Sequence, residues 1–192
     1  MRGWTDDPLS DAGRRQAELT AHYIRTLAPV ESIYTSTLPR AVETGNIIAS
    51  ALKVLVTARE DLRELNLGTL EGRGERELWD YFAQQAGAQG MAQVVFPGGE
   101  GVAQFLGRTQ KAFAEIIASH QDSALIVSHG VQTMVMLGMW FEKDFVKWSQ
   151  FRVANCSVTE IAFEPAPRLV RVNDTSHLQN QDRSVIIITR VN

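Results

Sequence analysis

Hydrophobic residues follow two alternating patterns along this chain, one with helical spacing and one in short continuous runs. Helical spacing predicts helices from about residue 10, where Ser10 can cap the first turn, to residue 27, then over residues 38–52 and 101–120, and from Gly130 onward. Short β-rich runs predict strands over residues 32–36, 53–57, 124–128, 157–163, 168–173 and 184–189. This alternation indicates an α/β fold, a three-layer sandwich whose mainly parallel central sheet is flanked by helices.

Residues 67–100 depart from this pattern. They contain "GTLEGRGE", a short polar-aromatic helix around residues 78–82, and the glycine-rich segments "GAQG" and "PGGEG". We interpret them as a small cap insertion. The 192 residues, 44% of them hydrophobic, then fit a single domain over residues 1–192, with a C-terminal extension at about residues 179–192.

Charge and composition exclude several functional classes. A net charge of −3 gives no basic field for nucleic acid, so an anionic ligand must be met by a local group of cations. No apolar run is long enough to predict a membrane span, and the N-terminus has no hydrophobic signal core. The single cysteine, Cys156, suits a reducing compartment, and we predict a cytoplasmic protein.

Two polar residues fall where predicted strands end and helices follow. Ser36 ends the strand over residues 32–36, and His129 follows the buried run "ALIVS". Carboxyl ends of parallel strands meet at one edge of a sheet, and the following helix N-terminus favours a phosphate or carboxylate there. His129 fits an anion site, and it equally fits a packed histidine bonded to the backbone.

Arg40 and Glu64 are further candidates. Arg40 lies in the first turn of a predicted helix, where a positive charge is unfavourable unless an anion lies between it and the positive end of the helix dipole. Its guanidinium suits phosphoryl oxygens. An enclosed Glu64 would have a raised pKa and could protonate a leaving group. Taken alone, a surface arginine and a glutamate paired with Arg63 or Arg73 are the favoured interpretations.

Six segments, taken together, point to a known family. "GWTDDPLSDAGRRQAE", "YTSTLPRAVET", "LRELNLGTLEG", "FPGGEG", "LIVSHG" and "NCSVTEIAF...LVRVNDTSHL" resemble the histidine phosphatase, or phosphoglycerate mutase-like, superfamily in order and spacing. The resemblance covers about residues 3–178. It implies phosphoryl transfer through a phosphohistidine, without a metal or other cofactor.

The resemblance also implies roles for individual residues. Glu64 matches the acidic proton donor, and His129 matches the second histidine, which contacts the transferring phosphoryl group. Arg40 matches the arginine that binds the phosphoryl oxygens. Ser36, Ser128 and Gly130 match neighbouring substrate-binding positions.

One expected motif does not occur. The family begins with a strand ending in Arg-His-Gly, whose histidine is the nucleophile, and no such sequence occurs among the 192 residues. A misplaced start or truncation, a pseudoenzyme, and a permuted chain would each account for this. In the permuted chain, "SVIIITRVN" would fill the vacant central slot with Arg190 at the arginine position and Val191 at the nucleophile position. An edge strand or loose extension is the favoured interpretation of this tail.

The resemblance therefore predicts a small broad-specificity phosphatase lineage acting on a phosphorylated metabolite, with inorganic phosphate as a further ligand, as a monomer or homodimer. Without the nucleophile, we expect the chain to be inactive or impaired. A phosphoglycerate mutase-type transfer is the alternative, less favoured because the long insertions expected of such mutases do not occur. An inactive phosphate-binding or interaction protein is the alternative of another class.

Overall fold

A six-stranded sheet forms the centre of the molecule. The computed structural model describes residues 2–27, 29–87, 90–120, 122–143, 145–178 and 184–189. The strands are β1 (Ser32–Ser36), β2 (Val56–Arg59), β3 (Ser123–Val127), β4 (Asn155–Ala162), β5 (Arg168–Asp174) and β6 (Ser184–Thr189), and the helices are α1 (Asp11–Ile24), α2 (Pro39–Leu52), α3 (Glu75–Ala86), α4 (Val102–Ser119) and α5 (Gly130–Leu137). The spatial order of the strands is β2-β1-β3-β6-β4-β5.

Helices cover both faces of the sheet, which confirms the predicted α/β sandwich. Leu125 and Val127 of β3 pack in one cluster with residues of α1 and α2. Ala124 and Ile126 point to the other face and pack with residues of α4 and α5. Successive side chains of a strand point to opposite faces, so the continuous apolar run of β3 joins both layers. Full burial of a side chain such as Leu125 contributes about 1.5–3 kcal/mol.

The helix boundaries have local causes. Ser10 caps α1, because its hydroxyl accepts a hydrogen bond from the Gly13 N–H at 3.1 Å. Lys53 ends α2 in a left-handed conformation with φ 59°. This turn delays the next strand, so β2 begins at Val56 and the prediction of a strand over residues 53–57 is wrong in its position.

The cap region is held to the body by apolar packing and by a close crossing of two glycine-containing loops. Leu78 of α3 and Phe96 lie in one cluster with Val131 of α5. A side chain at Gly68, whose φ is +55°, would place its Cβ 2.1 Å from the carbonyl oxygen of Pro97. Only glycine fits so close a backbone approach.

The strand β6 corrects the expectation for the C-terminal tail. It lies inside the sheet and pairs with β3 on one side and β4 on the other, so the favoured edge strand or loose extension is wrong. β6 runs antiparallel to β3, with Ile186 opposite Ile126 and Thr189 opposite Ser123. A permuted strand would have to run the other way to end beside His129. The hypothesis that this run fills a central slot of the sheet agrees with the position of β6 between β3 and β4, but its antiparallel direction places Thr189 opposite Ser123 and away from His129. Arg190 and Val191 lie outside the described residues.

Candidate active site

The carboxyl ends of β1 and β3 bring Ser36 and His129 together. These strands are parallel neighbours, so both chains leave the sheet at the same edge. Ser36 is fully buried, and its Oγ lies 2.8 Å from Nε2 of His129. The same Oγ accepts a hydrogen bond from the Leu38 N–H at 3.2 Å. The sequence prediction that both residues meet at one edge agrees with this geometry.

The His129 imidazole lies away from water at the N-terminus of α5. The residue is 7% exposed, and its backbone is extended before the helix begins at Gly130. Burial holds the pKa of His129 well below its usual range, and the positive charges of Arg40 and Arg108 lower it further. The ring is therefore neutral at pH 7 and accepts or donates one hydrogen bond at each nitrogen.

The carboxyl group of Glu64 is held between two backbone N–H groups. Its Oε1 accepts from the Leu65 N–H at 2.9 Å, and its Oε2 accepts from the Val131 N–H at 3.0 Å. Val131 is the second residue of α5, so a carboxyl group of the chain itself lies at this helix N-terminus. Burial raises the pKa of Glu64, against the opposing effect of the two N–H donors and of Arg40.

Arg40 reaches the same edge from the first turn of α2. It donates to the carbonyl oxygens of Gly3 at 2.7 Å and Thr5 at 2.8 Å. These are its hydrogen-bond partners within the described part of the chain, so three of its five N–H groups can still face an anion. Burial lowers the pKa of Arg40, and the charge of Glu64 opposes that effect. No pattern in the sequence indicated that the loop at residues 3–5 would hold this side chain.

The remaining predicted residues border the site in different ways. The Ser128 hydroxyl points to the backbone, lying 3.2 Å from the carbonyl oxygen of Leu62 and contacting the side-chain oxygen of Gln132. It therefore supports the segment before Glu64. Gly130 begins α5, and a Cβ added there would meet no atom within 4 Å, so space adjoins this helix end.

Sequence reasoning missed the arginine that holds the Glu64 segment. Arg108 of α4 donates to the carbonyl oxygen of Glu64 at 2.8 Å and pairs with Glu100 at 2.5 Å. Trp4 donates to the same Glu64 carbonyl through its indole N–H at 2.6 Å. "FPGGEG" contains Glu100, but nothing in its spacing from Arg108 indicates a partnership with a distant loop.

The other three histidines lie away from this edge. His22 is exposed on α1. Nε2 of His120 lies 2.8 Å from the Tyr34 hydroxyl, and Nε2 of His177 lies 3.0 Å from the Thr20 hydroxyl.

Across the described ranges, no group of three or more His, Cys, Asp or Glu residues could hold a metal ion. None of the helices described is long and apolar enough to cross a membrane.

Comparison with known proteins identifies the relatives of this fold. The family model for the histidine phosphatase superfamily (branch 1) matches residues 1–175. A probable phosphoglycerate mutase GpmB from Yersinia enterocolitica is 31% identical over 192 residues, which cover 93% of this chain and 86% of that protein.

Two solved structures are also similar. The phosphoserine phosphatase of Entamoeba histolytica, in complex with 3-phosphoglyceric acid, aligns with a TM-score of 0.79 and 26% identity, covering 93% of this chain and 90% of that one. YhfR of Bacillus stearothermophilus aligns with a TM-score of 0.74 and 28% identity over the same shares of the two chains. The fold of most of this chain is thus similar to that of these two structures.

Proposed function

Since this chain belongs to the histidine phosphatase superfamily, we propose that its site serves a phosphatase acting on small phosphomonoesters. The observation that carries the proposal is the state of Glu64. Its carboxyl group is buried, has a raised pKa, and lies at the helix end that follows His129. A raised pKa favours the protonated form of this carboxyl group, which can give its proton to the oxygen of a leaving alcohol.

The phosphoryl group would lie between Arg40 and the N-terminus of α5. The guanidinium of Arg40 has N–H groups to spare for two phosphoryl oxygens, and a planar fork matches that geometry. The neutral ring of His129 can add one hydrogen bond without competing for a proton. A small phosphorylated metabolite or inorganic phosphate is the ligand that this set of donors favours.

The proposed reaction has two displacements at phosphorus. In the first, a histidine nitrogen attacks phosphorus, the P–O bond to the alcohol breaks, and Glu64 gives its proton to the leaving oxygen. In the second, a water oxygen attacks, the P–N bond breaks, and the Glu64 carboxylate takes a proton from that water. The attacking histidine is not assigned to any of the 192 residues, because Arg-His-Gly does not occur among them. We therefore propose that these residues bind the phosphoryl group and that turnover requires a nucleophile added to them.

Two alternatives have specific support. The relative from Yersinia enterocolitica is described as a probable phosphoglycerate mutase, which favours phosphoryl transfer between two positions of one sugar acid as the second candidate. The lack of an Arg-His-Gly sequence favours a third candidate, a phosphate-binding or interaction protein without catalysis.

Calorimetric titration with inorganic phosphate and orthovanadate tests the binding site. We expect binding by the 192-residue chain, loss of it in Arg40→Gln, and no change in Arg15→Gln, which removes an exposed arginine from α1. Equal binding by Arg40→Gln and the parent chain would refute the assignment of Arg40.

Turnover separates the three candidates. We expect hydrolysis of p-nitrophenyl phosphate when a strand ending in Arg-His-Gly is fused before residue 1 and residues 184–192 are removed, because β6 otherwise fills the position between β3 and β4. Little hydrolysis is expected without this fusion. Conversion of 3-phosphoglycerate to its 2-isomer by the fused protein, without release of phosphate, would favour the mutase. Phosphate binding without turnover by either protein would favour the binding protein.

A further inference from the structure

Side chains from distant elements hold the loop that carries Glu64. Residues 61–64 include the end of the short 3-10 helix Glu60–Leu62 that follows β2, and each of their four carbonyl oxygens lies within hydrogen-bond distance of a side chain. The contacts are Gln132 Nε2 to Asp61 O at 2.8 Å, Ser128 Oγ to Leu62 O at 3.2 Å, Trp4 Nε1 to Glu64 O at 2.6 Å, and Arg108 to Asp61 O, Arg63 O and Glu64 O at 3.0, 2.7 and 2.8 Å. Arg108 thus contacts three of the four carbonyls.

Glu100 fixes Arg108 in turn. Its Oε2 accepts from Nε of Arg108 at 2.9 Å, and its Oε1 accepts from a terminal nitrogen at 2.5 Å. The two side chains are 8% and 18% exposed, so the pair is largely removed from solvent. Glu100 also accepts the Asn66 N–H at 2.9 Å, on the far side of Glu64 along the chain. The pair therefore contacts the backbone both before and after Glu64.

A lysine could not make this set of contacts. The guanidinium places its donors in a fixed plane, and here they serve three carbonyls and a carboxylate at once. The face of Arg108 also lies over the Phe105 ring, 4.8 Å from its centre, which fixes the plane of the group.

We propose that Arg108 and Glu100 form a positioning pair that fixes the backbone of residues 61–66 and thereby holds the Glu64 carboxyl group against the N-terminus of α5. This inference rests on the proposed role of Glu64 as proton donor. Neither Arg108 nor Glu100 touches the substrate in this scheme. They act through the location of Glu64.

The backbone N–H groups of Leu65 and Val131 report this location directly, because each donates to one oxygen of Glu64. Amide hydrogen exchange measured by NMR in Arg108→Gln is expected to be about tenfold faster at both amides, the factor for losing one hydrogen bond. Arg171→Gln is the matched control, since Arg171 and Glu160 form a similarly buried pair at 2.7 Å on the remote strands β5 and β4. A general loss of stability would affect both variants, whereas a positioning effect is confined to Arg108→Gln.

Two further variants keep the test decisive if Arg108→Gln does not fold. Glu100→Gln retains the shape of the partner without its charge, and Arg108→Lys retains the charge without the fork. Both are expected to raise exchange at Val131 above that in Arg171→Gln. Exchange at Val131 equal to that in Arg171→Gln in every variant that folds would overturn the proposal.

Phosphate binding by the parent chain is measured alongside. One outcome is that the parent chain does not bind phosphate while hydrogen exchange at the Val131 amide is still faster in Arg108→Gln than in the parent chain. In that case the proposed function fails and the positioning pair stands. In the fused protein with Arg-His-Gly, a lower kcat with little change in KM is expected for Arg108→Gln, because only the proton donor is displaced. A raised KM with unchanged kcat would contradict the pair's action through Glu64.

Discussion

Replacing Glu64 by glutamine should destabilise the protein in acid, and this destabilisation should shrink as the pH rises. The folded state raises the pKa of the Glu64 carboxyl group above 4.5, its value in an unfolded chain, because burial disfavours the charge. The unfolded state therefore releases this proton first as the pH rises. The stability that the protonated Glu64 contributes is fully present below pH 4.5. It is lost as the pH rises from 4.5 to the pKa of Glu64 in the folded state.

The size of the effect follows from proton linkage. Between the unfolded and folded pKa values of Glu64, the free energy of unfolding falls by about 1.4 kcal/mol per pH unit relative to a variant that cannot ionise there. Below this window the protonated acid and the amide are both neutral and similar in shape. The amide has one acceptor oxygen where the carboxyl group has two, so one of the N–H groups of Leu65 and Val131 faces the NH2 group of the variant. The variant should therefore be less stable than the parent chain in acid, by about 1–3 kcal/mol.

Urea unfolding followed by circular dichroism, from pH 4 to pH 8, measures the difference between Glu64→Gln and the parent chain. Glu18→Gln, on the exposed side of α1, controls for the exchange of a carboxyl group for an amide. A difference that is constant over this range, or that favours the parent chain more strongly as the pH rises, would refute the argument that burial governs the Glu64 carboxyl group.

Three other substitutions test separate parts of the structure. Ser36→Ala removes the hydroxyl that contacts the buried imidazole of His129 and should lower the free energy of unfolding, measured in urea, by about 1–3 kcal/mol. The ¹⁵N chemical shift of the ring should also change, and an unaltered shift would contradict the contact. Gly68→Ala places a Cβ 2.1 Å from the Pro97 carbonyl at a φ of +55° and should destabilise by more than about 2 kcal/mol, seen as a lower Tm. Gly107→Ala meets no neighbouring atom within 4 Å on the exposed side of α4 and should raise stability by about 0.5–1 kcal/mol, so a loss in both glycine variants would refute the distinction between them.

Local patterns in the sequence predicted the parts of the fold that depend on local chemistry. The apolar run before His129 predicted β3, and the helical spacing after Ser10 predicted α1 with its cap. Ser36 and His129 were placed at one edge because parallel strands end together, and they lie in contact. The roles proposed for them in binding and catalysis stay predictions.

The misjudged features depend on partners that are distant in sequence. An apolar run such as residues 184–189 favours a strand, but its side chains do not encode which neighbours it pairs with or in which direction. The left-handed turn at Lys53 places the start of β2 later than predicted. It was not foreseen, because a lysine does not indicate a positive φ. Arg108 was missed because the three carbonyl oxygens that it contacts come together only when the loop at residues 61–64 has folded beside α4.

The position of β6 has a consequence for how the molecule assembles. It is the last described strand along the chain, yet it lies between β3 and β4 and is the element through which the two halves of the sheet are hydrogen-bonded. During synthesis, β1, β2 and β3 can pair as soon as residue 127 has emerged. The edges of β3 and β4 that face β6 stay without strand partners until β6 has been made. Such a closing step joins residues far apart in sequence and makes folding slow. Until it is complete, two open strand edges can pair with other chains, so the amount of folded protein recovered should depend strongly on chain concentration.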